Sequence, residues 1–450
     1  MGYLSRLLAF FRRLVSGEPP APPPVPLSAT VEQLLFPPTP PRAASGAMLR
    51  REEMLDRSGR LAGYRFSLAT ADGATFAPPG AYFDALRSAK VRSLAERRLA
   101  VIVVRLSEWS VADLALLQGP HTVFQVDWPG ATEDVDAWLV GLQYLRQAGA
   151  DLALTFAAGG VAQPPDLLDA LALVTHGFVD FSSAPDARFE ELVHRLRREG
   201  PNLRLAADNV TSWPERRLCL SLGIDLVMGG FLSTVDVQDQ GEKVNGSRLM
   251  LMEMLTLVRR DGDARALAEM AKRDPGVAVR LLSMANAPAY GLVTPVTGLE
   301  QAVLVLGREA LYRWLVISVF RAGRDRARDE ALLEVALARA RFLELAALSV
   351  GSRQQADELF LVGLLSFVDA LLGLPMEEVV SAMSLPPVVC DVLLRSEGPY
   401  ARFLILALAV EKCLAERAAQ LADPLGITLD ALNHHRDEAL LWAEEAVRQH

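Results

Sequence analysis

The sequence predicts two domains of different class, a TIM-like β/α barrel followed by an all-helical bundle. Two patterns carry this expectation. Between residues 48 and 236, short aliphatic runs alternate with amphipathic stretches of helical period, which is the mark of repeated β-α units closing into a barrel. From residue 247 to 440 the strand pattern stops and only helical periodicity remains. A chain of 450 residues suits two domains, each able to bury its own core.

The strand-like runs are 61–68, 100–106, 122–126, 151–156, 178–181, 203–206 and 225–228. Amphipathic stretches at 81–98, 135–147, 166–174, 187–198 and 213–222 separate them, and the repeat implies a parallel sheet. Residues 237–246 form a polar linker with no apolar anchor. In the helical half, Asp274 followed by Pro275 is a helix start, with the aspartate as cap and the proline at the first helical position. Residues 286–291 break that helix, and two further helices meet near Gly307. Later helices are expected over 330–348 and 357–372, the first of them rich in alanine between Ala336 and Ala347, so that helices approach closely there. Arg339, Arg341 and Arg353 are read as a solvated helix face.

Ahead of the barrel, residues 1–47 hold an amphipathic helix and a proline-rich linker. Leu4, Leu7, Leu8 and Phe11 share one face, flanked by Arg12 and its neighbours. Such a helix either lies on an anionic membrane surface, in which case the protein is cytoplasmic and peripheral to the membrane, or docks on the protein itself. Arginines interrupt its apolar stretch, so no signal peptide is expected, and no apolar run reaches the length of a membrane span.

Composition excludes several classes. A hydrophobic fraction of 51% with 22% charged residues is a globular profile. A net charge of −9 gives no broad footprint for nucleic acid, and none is expected as a partner. Cys219, Cys390 and Cys413 lie far apart and form no CxxC pair, which argues against structural zinc and suits a reducing cytoplasm. The six histidines are His121, His176, His194, His434, His435 and His450. None falls between residues 195 and 433, so a helical metal site built on histidine is not expected.

Several phrases carry family resemblances. Leu55-Asp-Arg-Ser-Gly-Arg-Leu-Ala-Gly-Tyr64, Leu145-Arg-Gln-Ala-Gly149 with Leu152-Ala-Leu154, and Leu222-Gly-Ile-Asp-Leu-Val-Met-Gly229 resemble the EAL family of cyclic-di-GMP phosphodiesterases. Arg273-Asp-Pro275, Asn286-Ala-Pro-Ala-Tyr-Gly291 and the Gln301-Ala302 to Leu306-Gly307 segment resemble the HDOD family. HDOD domains are related to HD phosphohydrolases, whose adjacent histidine and aspartate ligands correspond to Ser366 and Phe367 in Gly363-Leu-Leu-Ser-Phe367. The resemblance implies a bacterial EAL–HDOD signalling protein of motility, attachment or cyclic-di-GMP networks.

It also implies where metal ligands would stand. The glutamate that names the EAL motif corresponds to Arg65 and the strand asparagine to Arg105. The next glutamate corresponds to Gln125 and the paired aspartates to Thr155 and Phe156. The catalytic lysine falls at Asp180, later glutamates at Asp208 and Thr211, and the closing glutamine at Met228. Hard divalent cations need converging anionic oxygens, and guanidiniums repel them. The expectation is therefore a chain that is not an enzyme, with no metal and no cofactor, acting as an adaptor or scaffold on protein partners, with a homodimer among the assemblies it allows. Two further readings concern Arg65, Arg105, Asp127, Asp180 and Asp208. They either form a vestigial pocket in which guanidiniums grip the phosphates of cyclic-di-GMP without metal, or a neutral plug of ion pairs. Trp109 and Trp128 near the same strand ends are read as packing residues.

Overall fold

The computed structural model describes residues 48–449, apart from 70–78, 130–133, 157–166, 182–186, 237–245, 260–261, 288–293 and the single positions 324, 352 and 384. The amphipathic N-terminal helix, the proline-rich linker and most of the 237–246 linker lie outside the described residues. Among those described, no helix is long and apolar enough to cross a membrane.

Eight strands close a barrel in sequence order. They are β1 (Met48–Asp56), β2 (Leu61–Ala69), β3 (Leu99–Val104), β4 (Thr122–Val126), β5 (Asp151–Phe156), β6 (His176–Asp180), β7 (Arg204–Asp208) and β8 (Leu226–Met228). Helices α1 (Pro79–Ser88), α2 (Val91–Leu94), α3 (Val111–Leu117), α4 (Val135–Gln147), α5 (Leu167–Leu173), α6 (Ala187–Glu199) and α7 (Trp213–Ser221) alternate with them. The expected barrel is therefore present, with two corrections. The stretch 81–98 is two helices, split where Lys90 takes a left-handed φ of 52°. The sheet is also not wholly parallel, because β1 runs antiparallel to both β2 and β8. A tight turn forces this. Asp56 accepts hydrogen bonds from Ser58 N and Arg60 N at 2.9 Å each, Gly59 supplies φ 83°, and a turn so short can join only antiparallel strands.

Side chains fill the barrel interior. Met54, Val101, Val123, Ala153, Phe178, Ala206, Leu226 and Met228 form one buried layer drawn from seven of the strands. On β1 the alternation that points Met54 inward also points Glu52 inward, toward the C-terminal mouth of the other strands.

The helical half contains α8 (Gly246–Arg259), α9 (Ala264–Ala271), α10 (Pro275–Ala285), α11 (Leu299–Arg321), α12 (Arg326–Leu348), α13 (Arg353–Leu365), α14 (Val368–Leu372), α15 (Met376–Met383), α16 (Pro387–Arg395), α17 (Ala401–Glu411), α18 (Ala415–Ala422) and α19 (Leu429–Gln449). Asp274 caps α10 as the sequence predicts, accepting from Gly276 N at 2.8 Å and Val277 N at 3.2 Å. Gly307 breaks α11 with φ 71°, a conformation that glycine adopts without strain. A buried pair, Arg248 and Asp329 at 2.6 Å, anchors the bundle, and Arg248 Nε also donates to Val319 O at 2.9 Å near the end of α11. Burial draws the Arg248 pKa down and pushes Asp329 up to about 6, each against the attraction of the other.

The expected end of the helical domain at 440 does not match the compact units. Within the described residues, 48–234 cluster with Leu406–Leu441, and 235–405 cluster with 442–449. The reason is visible on β1. Only Met54–Asp56 pair with β8, which leaves the earlier part of that edge open. Arg436 Nη1 closes it with a bond to Leu49 O at 2.9 Å, and Cys413 Sγ reaches the same carbonyl at 3.6 Å.

The same covering encloses Glu53. Burial, joined by the charges of Glu411 and Glu52 and opposed by Arg51, pushes its pKa up to about 7. A carboxyl raised in the folded state binds more protons there than in the unfolded chain. Its contribution to stability is present below the ordinary carboxylate range and is lost as pH rises through about 7. Glu53→Gln is expected to flatten the fall in stability between about pH 4.5 and 7.5, measured by urea denaturation at several pH values. An unchanged pH slope in the variant would contradict this.

Candidate functional site

The C-terminal ends of the barrel strands gather most of the residues singled out from sequence. Arg65 sits within β2, Arg105 just after β3, Asp127 just after β4, Asp180 at the end of β6 and Asp208 at the end of β7. The structure joins them in pairs. Arg65 forms ion pairs with Asp208 and with Glu52, the latter at 2.8 Å. β2 and β7 are not neighbours in the sheet, so the Arg65–Asp208 pair spans the barrel interior, and the guanidinium lies 5.8 Å from the Phe178 ring centre. Burial disfavours the charge on Arg65, yet Asp208 and Glu52 raise its pKa above the ordinary arginine value.

Arg105 is bonded to Asp127 at 3.1 Å and Glu108 at 2.9 Å, all three about a third exposed. Pairs this open to water contribute little. Asp180 accepts from Asn209 Nδ2 at 2.9 Å, and the Asn209 backbone N–H donates to Asp208 at 2.8 Å. Asn209 thus bridges two strand-end carboxylates from a left-handed φ of 59°.

The remaining positions divide. Gln125 Nε2 donates to Thr155 Oγ1 at 2.8 Å across adjacent strands. Phe156 packs against Trp128, and Trp128 stacks on Trp138 while its Nε1 donates to Thr155 O at 2.6 Å. Trp109 is buried against Tyr82 and Phe83. Thr211 bonds Glu215 at the start of α7, and Met228 belongs to the buried interior layer. Sequence reading missed Glu52, Glu108 and Asn209. Glu52 was findable, since a hairpin at Asp56–Arg60 places it opposite Arg65.

This donor set does not fit a hard divalent cation. Asp127 and Asp208 are engaged by guanidiniums. Gln125 donates to Thr155, and its own buried Oε1 is left unbonded but supplies only a neutral amide oxygen. Among the described residues no group of three histidine, cysteine or carboxylate side chains is arranged to hold a metal ion.

In the helical half, Ser366 and Phe367 stand where α13 ends and α14 begins, so the expected helix over 357–372 is two. Arg339 of α12 reaches both residues. Its Nη1 donates to Ser366 Oγ at 2.8 Å, and its guanidinium lies 4.0 Å from the Phe367 ring centre. Arg341 bonds Glu344 at 2.8 Å, and Arg313 bonds Glu344 at 3.0 Å and Asp357 at 2.6 Å. The reading of Arg339 and Arg341 as a solvated face is corrected, because both are partly buried in this network. Arg353 is exposed, 3.9 Å from Asp357. The close approach of α12 and α13 is as expected: a Cβ on Gly363 would come within 2.4 Å of Ala340 Cα.

With this geometry in hand, comparison with known proteins is informative for the helical half. Residues 248–378 match the HDOD domain family. That stretch, from α8 into α15, is similar to HDOD domains. Together with the closed barrel ahead of it, this supports the two-domain EAL–HDOD architecture. Two curated relatives align across much of the chain. One, from Vibrio cholerae, is named cyclic di-GMP phosphodiesterase CdgJ and is 24% identical over 57% of this chain and 60% of its own length. The other, YuxH of Bacillus subtilis, is 24% identical over 49% of this chain and 54% of its own. The alignments thus span little more than half of each relative. Among solved structures, the EAL domain of Mycobacterium smegmatis DcpA matches with a TM-score of 0.34 at 13% identity, covering 44% of this chain and 96% of that domain. A standalone EAL protein of Vibrio cholerae in its c-di-GMP-bound form matches with a TM-score of 0.30 at 14% identity, covering 42% and 91%. The closed order of eight strands, rather than these scores, defines the barrel.

One expectation is overturned at this point. The sequence reading excluded enzymatic activity, but a relative aligned over 57% of this chain carries the name of a phosphodiesterase, so that exclusion does not stand.

The HDOD network yields a stability prediction. Arg339→Met keeps an apolar stem over Phe367 but removes the cation and the bond to Ser366. The loss is expected to be about 1–2 kcal/mol in urea denaturation. A variant as stable as the parent would show that the guanidinium does not hold this helix junction.

Proposed function

We propose that this protein is a regulatory component of cyclic di-GMP signalling that acts through protein–protein contacts of its HDOD domain. The observation that carries the reading is the Arg339 clasp. At the junction where related hydrolases hold metal ligands, a guanidinium is bonded to Ser366 and stacked on Phe367, which makes the helix junction a fixed structural element. The bundle also exposes large apolar side chains, Val279 on α10 at 62% and Leu304 on α11 at 68%, beyond what its own core uses. The phosphodiesterase name of a relative supports the cyclic di-GMP context, and the motility and attachment networks implied by the family belong to the same proposal.

A second reading is favoured by Arg105. Its side chain is 35% exposed at a strand end, and its carboxylate partners are similarly open, so a phosphate could displace them at little cost. On that reading the barrel mouth recognises cyclic di-GMP through Arg105.

Two measurements separate the readings. Partner capture from a bacterial lysate by the full chain is expected to fall several-fold in Val279→Asp and Leu304→Asp but not in Val140→Asp, an equally exposed site on α4. Equal capture by all three variants would sink the HDOD contact. Isothermal titration with cyclic di-GMP, in magnesium and then in EDTA, addresses the mouth. Saturable binding lost in Arg105→Ala supports recognition there, and binding that survives that change counts against it.

A further inference from the structure

We propose that the HDOD domain carries a nucleotide-phosphate site of its own, formed by Arg280, Arg321 and Arg326. The three side chains come from α10, the end of α11 and the start of α12. With Asp329, Glu330 and Val447 they line an open cavity of about 290 Å³.

What sets these arginines apart is that carboxylates act on Arg280 and Arg321 only at a distance, Asp274 on the first and Glu330 on the second, and form no ion pair with them. Arg65, Arg105, Arg248 and Arg313, by contrast, each form an ion pair with a carboxylate. Among the described residues, none of the three around this cavity is bonded to a carboxylate. Arg280 Nε donates to Gly276 O at 3.1 Å. Arg321 Nη2 donates to Val447 O at 3.0 Å, and its Nε is buried with no partner. The Asp329 carboxylate, which lines the same wall, is already engaged by Arg248 at 2.6 Å. Burial, opposed by Glu330 and reinforced by Arg280, draws the Arg321 pKa below the ordinary arginine value. Three cations from different helices therefore face one cavity with a single free carboxylate, an arrangement that an incoming anion would stabilise.

The chemistry narrows the anion. Guanidinium forks match phosphate oxygens, often in bidentate fashion. Glu330 at the rim would repel a bare anion but accepts N–H donors, and a guanine edge offers such donors beside its acceptors. The volume lies at the lower end of small-ligand pockets, which suits a mononucleotide. This site shares no residue with the barrel mouth, so it is independent of the readings above.

The test is isothermal titration of the full chain with GMP and, separately, with inorganic phosphate at low salt. The expected result is saturable GMP binding that weakens about tenfold in each of Arg280→Ala and Arg326→Ala, while inorganic phosphate binds at least about tenfold more weakly than GMP. Both arginines are exposed, so these variants are expected to keep the parent thermal midpoint. Arg105→Ala, at the barrel mouth, is expected to bind GMP as the parent does. No saturation with GMP, or full affinity in both arginine variants, would overturn the site. Binding abolished by Arg105→Ala would move the ligand to the barrel, and equal affinity for inorganic phosphate would overturn the nucleotide assignment.

Discussion

The guanidinium of Arg65, held between Asp208 and Glu52, sets the character of the barrel mouth. It closes the interior above the buried layer of apolar side chains and joins strands that are not neighbours in the sheet. A charge this far from water persists only because two carboxylates answer it. Those carboxylates are in turn committed. Asp208 serves Arg65 and receives the Asn209 N–H, and through Asn209 the Asp180 carboxylate is drawn into the same network. Removing the cation would leave buried negative charge behind, so this network depends on it.

Arginines also organise the helical half. Arg339 holds Ser366 and Phe367 where the resemblance to metal-dependent hydrolases places ligands, and Arg313 and Arg341 take up Glu344 and Asp357. An arginine fork can satisfy several acceptors and stack on a ring in one fixed geometry. It therefore ties the end of α13 and the start of α14 to α12. Gly363 supports this by letting α13 lie directly on α12.

Much of this was legible in the sequence. The Asp274-Pro275 cap, the break at Gly307 and most strand positions followed from local chemistry, and all were found. The positions of Arg65, Arg105, Asp127, Asp180 and Asp208 at strand ends were also readable, because each follows or ends an apolar run. What sequence could not supply was partnership. Glu52 lies on a strand that was not recognised as one, so its pairing with Arg65 went unread although the Asp56–Arg60 turn implies it, and the antiparallel entry of β1 went with it. The reach of Arg339 to Ser366 joins residues 27 positions apart on different helices. The attachment of residues 406–441 to the barrel includes Arg436 and Cys413 meeting Leu49, contacts that no periodicity encodes.

The ion pair across the barrel is most directly tested by a double-mutant cycle on Arg65→Ala and Asp208→Ala, read by urea denaturation. Both side chains are at most 15% exposed, so their coupling should greatly exceed that of a surface pair. The predicted result is a coupling of about 2–3 kcal/mol, with the double variant recovering part of the stability that Arg65→Ala loses. A coupling below about 0.5 kcal/mol would mean that the two charges are solvated separately, and that the mouth is held together by something else.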